Sequence, residues 1–395
     1  MATILAWLLC ALAIGGIGAN LHSALGVARL ARRRQAPGAA VAVSLLKPLH
    51  GAVPGLAEKL AGFLDQEWEA PIQMVCGLQR EDDPARQVLA GLRRSHPLLR
   101  HSRLRGDDEK REMRELVEIV DPKSHGANAK IANLINMLPA ARHDLIVLSD
   151  DDMAVPREYL AGLGGALAEP GVGAATCFYR GRGATGGWSQ FAAAATSYHF
   201  LPSVVLSQTL GFAHPCMGST IALRSETLEA IGGFARFADV LADDYEIGRA
   251  VRGLGLKVVL PPMLLVHDFP EASLRALWRH ELRWSVTLRA VDPLGNAGMV
   301  FTYPLPFALA LLPLMPRLGA VLVCATLAAR LLLKRAVDGW AGASTCPFWM
   351  LPFRDILSLA LYLRAFVARS VDWRGQQLVM AGKGRVMAQA ESPSR

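Results

Sequence analysis

The chain has 395 residues, of which 52% are hydrophobic and only 19% charged, and its mean hydropathy is +0.27. This composition is too apolar for an ordinary soluble enzyme. The formal net charge of +8 comes largely from arginines beside apolar segments, and no basic-aromatic nucleic-acid motif accompanies them. We therefore expect contact with anionic lipid and no nucleic-acid partner. The six cysteines include no CxxC pair, which argues against a zinc site or a disulfide framework.

The N-terminal segment predicts a membrane anchor. Residues 1–27 contain no Asp, Glu, Lys or Arg, and a helix of this length crosses a hydrocarbon core of about 30 Å. The segment lacks the basic start of a cleaved signal peptide, so we predict a retained transmembrane helix over 1–28. The arginine-rich stretch that follows it places the next domain in the cytoplasm.

Residues 38–295 have the pattern of a cytosolic α/β domain. Strands are expected at 41–46, 72–78, 115–120 and 145–149, and helices at 56–64, 85–94 and 128–138. This alternation indicates a parallel sheet with helices on both faces. Neither a GxGxxG nor a P-loop motif is present, which argues against a dinucleotide-binding or P-loop domain. We expect a loop at the glycine-rich 180–187, while 188–210 fits either a core helix or a segment at the membrane interface or acceptor groove.

The C-terminal part predicts further membrane elements within 299–368. One apolar block covers 299–333 and is interrupted by Pro313 and Pro316, and another covers 348–367. Two or three membrane elements fit this pattern, which leaves the number of crossings open. The end of the chain, 386–395, is expected to be a disordered tail.

The most informative stretch is the apolar strand 145–149, because three consecutive carboxylates follow it: Asp150, Asp151 and Asp152. Ligands of open α/β sheets bind outside the carboxyl ends of the strands. Adjacent like charges there cost folding energy unless a cation neutralises them. The spacing of Asp150 and Asp152 suits Mg²⁺ or Mn²⁺ bridging a diphosphate. The alternative is a solvated acidic turn that caps a helix starting near Pro156.

Two more acidic pairs, Asp82-Asp83 and Asp243-Asp244, flank this triplet in the chain, and Arg283-Trp284 follows them. This order is typical of an inverting nucleotide-sugar glycosyltransferase. Such an enzyme needs a metal to stabilise the leaving diphosphate and a carboxylate base to deprotonate the acceptor hydroxyl. An arginine beside an aromatic ring can hold the diphosphate bidentately.

With these motifs the chain resembles the ceramide glucosyltransferase family, in particular its bacterial branch with the hopanoid-associated lipid glycosyltransferases. The resemblance covers roughly 41–290 and rests on six ordered motifs: 44–49, 82–85, 128–133, Ser149-Asp150, 242–245 and Arg283-Trp284. It implies a glycosyltransferase-A type, Rossmann-like α/β domain flanked by transmembrane helices. Two positions depart from the family pattern: many relatives carry Gln or Arg where this chain has His280, and Arg80 replaces an acidic residue of some relatives.

The resemblance implies a role for each candidate site residue. Asp244 would be the general base, and Asp152 would coordinate the metal. The nucleotide-sugar would contact Lys47 and Pro48 at the uridine, Asp83 at the uracil or ribose, Lys130 near the phosphates, Asp150, and Arg283 with Trp284 at the diphosphate near the bilayer. Simpler roles also fit three of them: Lys47 as a loop cap, Lys130 as a solvated helix residue and Trp284 as an interfacial anchor. His267 and His199 are expected to be structural and are left out of the site.

The expected activity is metal-dependent transfer of one glucose or N-acetylglucosamine from a UDP-sugar to the hydroxyl of a lipid, either ceramide or a hopanoid polyol. The protein would be a multi-pass protein of the bacterial inner membrane, with its catalytic domain facing the cytoplasm. Two alternatives remain: a processive polysaccharide synthase, and a catalytically silent lipid-binding membrane protein.

Overall fold

The computed structural model describes residues 1–100, 113–212, 215–368, 370–373, 376–380 and 386–388. These fall into two compact units. We call Arg34–Phe178 with Pro215–Asp268 the sheet unit, and Met1–Arg33, Tyr179–His214 and Phe269–Arg395 the helical unit.

The described strands, in chain order, are β1 (Val43–Pro48), β2 (Ile72–Leu78), β3 (Arg114–Val120), β4 (Leu145–Leu148), β5 (Met153–Ala154), β6 (Val172–Thr176), β7 (Phe178–Gly183), β8 (Ile221–Arg224), β9 (Lys257–Val259), β10 (Leu264–Phe269), β11 (Ser370–Trp373), β12 (Gln376–Met380) and β13 (Val386–Ala388). The described α-helices are α1 (Ala2–Leu30), α2 (Leu56–Leu64), α3 (Ala85–Ser95), α4 (Pro97–Arg100), α5 (Ala129–Met137), α6 (Tyr159–Leu167), α7 (Gly187–Ala195), α8 (Leu201–Thr209), α9 (Ser225–Ala230), α10 (Asp243–Gly253), α11 (Leu274–Val291), α12 (Pro293–Gly298), α13 (Pro304–Leu311), α14 (Pro316–Ala341) and α15 (Met350–Val367). Shorter 3₁₀ segments are Leu138–Ala140, Phe234–Phe237 and Met299–Thr302, and Thr196–Phe200 is a π-helix that joins α7 to α8.

The sheet unit is built on a seven-stranded sheet in the order β3-β2-β1-β4-β8-β6-β9. The first four strands in this order are parallel, as the alternating pattern predicts. Beyond these four predicted strands the sheet is mixed, because β8 runs antiparallel to both β4 and β6. Its direction follows from the path of the chain. The Ser219 carbonyl accepts a 2.8 Å hydrogen bond from the Ser149 hydroxyl at the carboxyl end of β4, so the chain enters β8 from that edge.

Apolar side chains on both faces of β1, β2 and β4 form the core that fixes this edge. Leu46 lies between Val75 and Leu148 in register, and all three are fully buried. Strands buried on both faces are near-continuous apolar runs, so the sequence predicts β2 to the residue and β4 to within one residue, whereas β1 begins and ends two residues later than the predicted 41–46. The acidic residues that follow β2 and β4 therefore leave the sheet at one common edge.

In the helical unit, the predicted loop at 180–187 is partly wrong, since β7 extends through Gly183. The glycines there permit close packing rather than a turn. A Cβ on Gly181 would lie 2.4 Å from the Ala193 carbonyl oxygen, and one on Gly183 would lie 2.5 Å from the Gln190 nitrogen. The segment after it is helical, which fits both a core helix and a segment at the membrane interface or acceptor groove.

Among the described residues, α1 is long and apolar enough to cross a membrane. A second candidate is the pair of segments Pro293–Thr302 and Pro304–Leu311, which is bent by 54° and fits either one broken span or a re-entrant loop. Helices α14 and α15 occupy the remainder of the predicted C-terminal membrane region. The expected disordered tail begins instead with β13, and the rest of 386–395 lies outside the described residues.

Candidate active site

The acidic triplet lies where it was predicted, on the turn after β4, and lysines contact it from within the protein. Lys47, near the end of β1, is 0% exposed and donates a hydrogen bond to the Asp150 carbonyl oxygen. Its ammonium group also lies 3.9 Å from the centre of the Phe63 ring. Burial lowers the pKa of Lys47 to about 8, although the three carboxylates act in the opposite direction. Lys47 thus packs beneath the acidic turn, and half-buried Pro48 follows it in β1.

Lys130 connects the triplet with the second acidic pair. Its Nζ lies 2.7 Å from Asp150 Oδ1 and 3.6 Å from Asp243 Oδ2. Burial alone would lower the pKa of Lys130, but these two carboxylates outweigh it and raise that pKa. The side chain is held at this position because α5 begins one residue before it. Asn128 caps this helix by accepting the Ile131 N–H, and its amide donates to Asp243 Oδ1. The sequence alternative of a solvated helix residue is therefore wrong for Lys130.

Asp244, the predicted base, is the second residue of α10. Its Oδ2 accepts a 2.8 Å hydrogen bond from the Gly218 N–H, and its Oδ1 accepts one of 2.8 Å from the Tyr245 N–H. Burial, followed by the charge of Asp243, raises the pKa of Asp244 to about 6. A carboxylate with such a pKa is mostly ionised at neutral pH yet holds a proton better than an ordinary aspartate, as a general base requires.

Asp152 is paired with a residue that sequence reasoning left out of the site. Its Oδ2 lies 2.9 Å from Nε2 of His267, on β10, which pairs antiparallel with β5 next to the acidic turn. Carboxylate oxygen and imidazole nitrogen are both ligands of Mn²⁺-type cations. Within the described residues no group of three or more His, Cys, Asp or Glu side chains converges on one point. A two-ligand set fits a cation whose other ligands are substrate phosphates and water. The only sequence signal for His267 was its position near the end of a short apolar strand.

The middle carboxylate of the triplet, Asp151, and Asp83 of the first acidic pair have structural partners. Asp151 Oδ2 accepts the His50 N–H at 3.3 Å, in the loop after β1. Asp83 is buried, and its carboxylate accepts the N–H groups of Gly51, at 3.0 Å, and Ala85, at 2.9 Å. Gly51 has a left-handed backbone (φ +72°), so this loop takes its shape from a glycine that Asp83 holds. Contact of Asp83 with a nucleotide stays a prediction.

Arg283 and Trp284 lie on α11 of the helical unit. The Trp284 ring makes edge contacts with His280 (4.6 Å between ring centres) and with Phe269 (6.2 Å). His280 is bound through Nδ1 to the buried Glu271 carboxylate. On the next residue of the helix, Glu281 forms a two-pronged ion pair with the buried Arg354 of α15. The helix that carries Arg283 and Trp284 is therefore fixed within its unit by charged and aromatic contacts.

In the sheet unit, then, the structure brings Lys47, Lys130, Asp150 and Asp244 to one edge of a mixed α/β sheet, with Asp152 and His267 beside them. A protonatable carboxylate, a carboxylate–imidazole pair and lysines paired with the acidic turn are parts that a sugar transferase can use on a nucleotide-sugar.

The chain belongs to glycosyl transferase family 21, whose sequence model matches residues 5–386. Ceramide glucosyltransferase 1 of Caenorhabditis elegans is 20% identical over 374 residues, which are 89% of this chain and 74% of that protein. Ceramide glucosyltransferase 3 of the same organism is 21% identical over 368 residues, 87% of this chain and 74% of that protein. The protein is therefore a glycosyltransferase of the family that the sequence motifs resemble.

A solved structure shows the same fold. It is the mannosyltransferase PcManGT of Pyrobaculum calidifontis in complex with GDP-Man and Mn²⁺, with a TM-score of 0.50 and 21% identity. The alignment covers 92% of this chain and 99% of that chain. This likeness confirms the predicted glycosyltransferase-like α/β fold.

Proposed function

We propose that the protein transfers a single hexose, glucose or N-acetylglucosamine, from a UDP-sugar to the hydroxyl of a membrane lipid with inversion at the anomeric carbon. The acceptor is ceramide or a hopanoid polyol. The observation that carries the proposal is Asp244, a carboxylate whose pKa is raised to about 6 and which shares an edge of the sheet with the acidic triplet. The names of the two nematode relatives support a lipid acceptor and a glucosyl donor.

In the proposed reaction the acceptor oxygen forms a bond to the anomeric carbon as its proton passes to Asp244. The bond from that carbon to the phosphate oxygen breaks, and the nucleoside diphosphate leaves with the electron pair. Lys130 contacts both Asp150 and Asp243, so it holds the two acidic segments in one arrangement while the donor binds. The Gly218 N–H fixes one oxygen of the base and leaves its remaining lone pairs for the acceptor hydroxyl.

We assign a divalent cation, Mg²⁺ or Mn²⁺, to Asp152 and His267. The support is the chemistry of this pair, together with the Mn²⁺ in the complex of the mannosyltransferase that shares the fold. When bound, such a cation supplies Lewis-acid stabilisation of the charge on the leaving diphosphate. Asp83 and Pro48 are proposed for the uridine side of the donor, which the buried Lys47 supports from beneath, and Arg283 with Trp284 for the diphosphate.

We further propose that 1–28 and 299–368 lie in the bilayer, with the catalytic domain 38–295 on the cytoplasmic side of a bacterial inner membrane. Support comes from the exposed residues of α15. Trp349, just before it, and Phe353 are 64% and 63% exposed, whereas Arg354 and Asp355 are 1% and 0% exposed. Apolar side chains that face outward and charges that are paired inside are the arrangement a helix needs in lipid.

The experiment is a transfer assay with membranes that contain the full chain or its Asp244→Asn variant. Each is incubated with radiolabelled UDP-glucose, UDP-N-acetylglucosamine or GDP-mannose, and the lipid extract is read by mass. One added hexose from a UDP-sugar, absent in the variant, is the expected result. Products with several added sugars would establish the processive synthase instead. UDP binding with no transfer to any lipid would establish the silent lipid-binding protein.

A further inference from the structure

A buried ion pair outside the predicted site joins α2 to the end of β10. Lys59 Nζ lies 2.8 Å from Asp268 Oδ2, and their side chains are 2% and 8% exposed. Lys59 also donates to the Pro54 carbonyl oxygen, in the loop that precedes α2. A buried pair of this kind contributes little net stability over apolar side chains of similar size, so its presence calls for another reason.

The pair is directly connected to the proposed cation ligands. Asp268 follows His267 in β10, and its N–H donates a 3.1 Å hydrogen bond to the Asp152 carbonyl oxygen. His267 Nε2 meets the Asp152 carboxylate at 2.9 Å. The end of β10 is thus joined to the acidic turn through both the backbone and the side chain of Asp152. Lys59 sets the position of that strand end against α2.

We infer that Lys59 and Asp268 are positioning residues, which hold His267 and Asp152 at the separation needed to share one divalent cation. The inference rests on the proposed function, because it presupposes a cation at that pair. Its physical basis is the narrow range of distances that metal ligands accept. Side chains that orient the ligands from outside typically alter metal affinity by about 10- to 100-fold when they are lost.

The test measures Mn²⁺ affinity by electron paramagnetic resonance on the purified full chain in lipid nanodiscs, in the presence of UDP. The main variant is the neutral pair Lys59→Met with Asp268→Asn, because removing one partner alone leaves a buried charge and endangers folding. Arg93→Met is the matched control, since it removes an ion pair with Glu118 at 3.0 Å elsewhere in the sheet unit. His267→Ala reports whether the cation binds at the proposed pair.

We expect Mn²⁺ affinity to fall about tenfold in the neutral pair, with UDP-sugar binding and unfolding temperature close to those of the parent. Arg93→Met should keep the parental affinity. If His267→Ala weakens Mn²⁺ binding and the neutral pair does not, the positioning role is refuted. If His267→Ala itself binds Mn²⁺ like the parent, the cation assignment of the proposed function fails, and the positioning role with it.

Discussion

Replacing Asp244 by Asn tests the proposed chemistry most directly. The amide is similar in size and can still accept one of the two backbone hydrogen bonds, from Gly218 or Tyr245, that the carboxylate accepts. It cannot accept a proton from the acceptor hydroxyl. We expect the transfer rate to fall by about 10² to 10⁴, the usual contribution of a general base, while UDP binding is retained.

The raised pKa gives this prediction a second readout. With a pKa of about 6, roughly nine-tenths of the base is ionised at pH 7 and about one-tenth at pH 5. The transfer rate at limiting acceptor concentration should therefore fall about tenfold per pH unit below pH 6, and the variant should lack this dependence. An ordinary aspartate, with a pKa of 3.8, would leave the rate flat down to about pH 4.

The same group makes stability depend on pH. Because its pKa is higher in the folded chain than the ordinary 3.8, the folded state binds more protons between about pH 4 and 6. The contribution of Asp244 to stability therefore falls as pH rises through that window, by about 3 kcal/mol in full, and Asp244→Asn removes this slope. Thermal unfolding of both proteins at pH 4.5 and 7.5 measures it. A variant that retains more than a tenth of parental transfer, with the acid limb unchanged, would refute the assignment of the base.

Three further predictions concern the neighbourhood of Asp244. Gly218→Ala would place a methyl group 3.2 Å from both Lys130 Nζ and Asp244 Oδ2, so we expect transfer at least tenfold slower with little loss of UDP binding, measured by titration calorimetry. Lys130→Met removes the ammonium group that pairs with Asp150 and Asp243; because this cluster is partly exposed, we expect about 1 kcal/mol of lost stability in denaturant unfolding, together with no measurable transfer. Chelation by EDTA should abolish transfer, and added Mn²⁺ or Mg²⁺ should restore it. Full activity in EDTA would argue against the cation.

Two elements could be predicted to the residue from local pattern, and the other predicted strands and helices of the sheet unit to within one or two residues. Helix α2 and strand β2 begin and end where apolar periodicity and the neighbouring turn residues predict. The direction of β8 could not be predicted from the sequence. It is set by the path of the chain, which between β6 and Ser219 runs through about forty residues that belong mostly to the helical unit. The glycines of β7 were likewise not predictable as strand residues. A glycine that allows close packing against α7 looks the same in the sequence as a glycine that forms a turn.

The site residues also fall into two groups: those that chain order could predict and those whose roles depend on long-range contacts. The positions of Asp150 and Asp244 followed from chain order, because carboxyl ends of neighbouring strands meet at one edge. The burial of Lys47 and the partnership of His267 with Asp152 depend on contacts between residues about one hundred positions apart. A single sequence carries no periodicity that reports such contacts, and a lone histidine in an apolar strand is more often structural.

The balance of charge at this edge explains why the acidic clusters occur together. Five carboxylates, the triplet with Asp243 and Asp244, lie there; Lys130 pairs with two of them, and the charge of the triplet acts on Lys47. An incoming nucleoside diphosphate adds further negative charge to this cluster of carboxylates. Repulsion would exclude the donor unless a divalent cation entered with it. We therefore expect donor binding to depend on the proposed cation: UDP affinity should rise with Mn²⁺ concentration and lose this dependence when Asp152 is replaced by Asn.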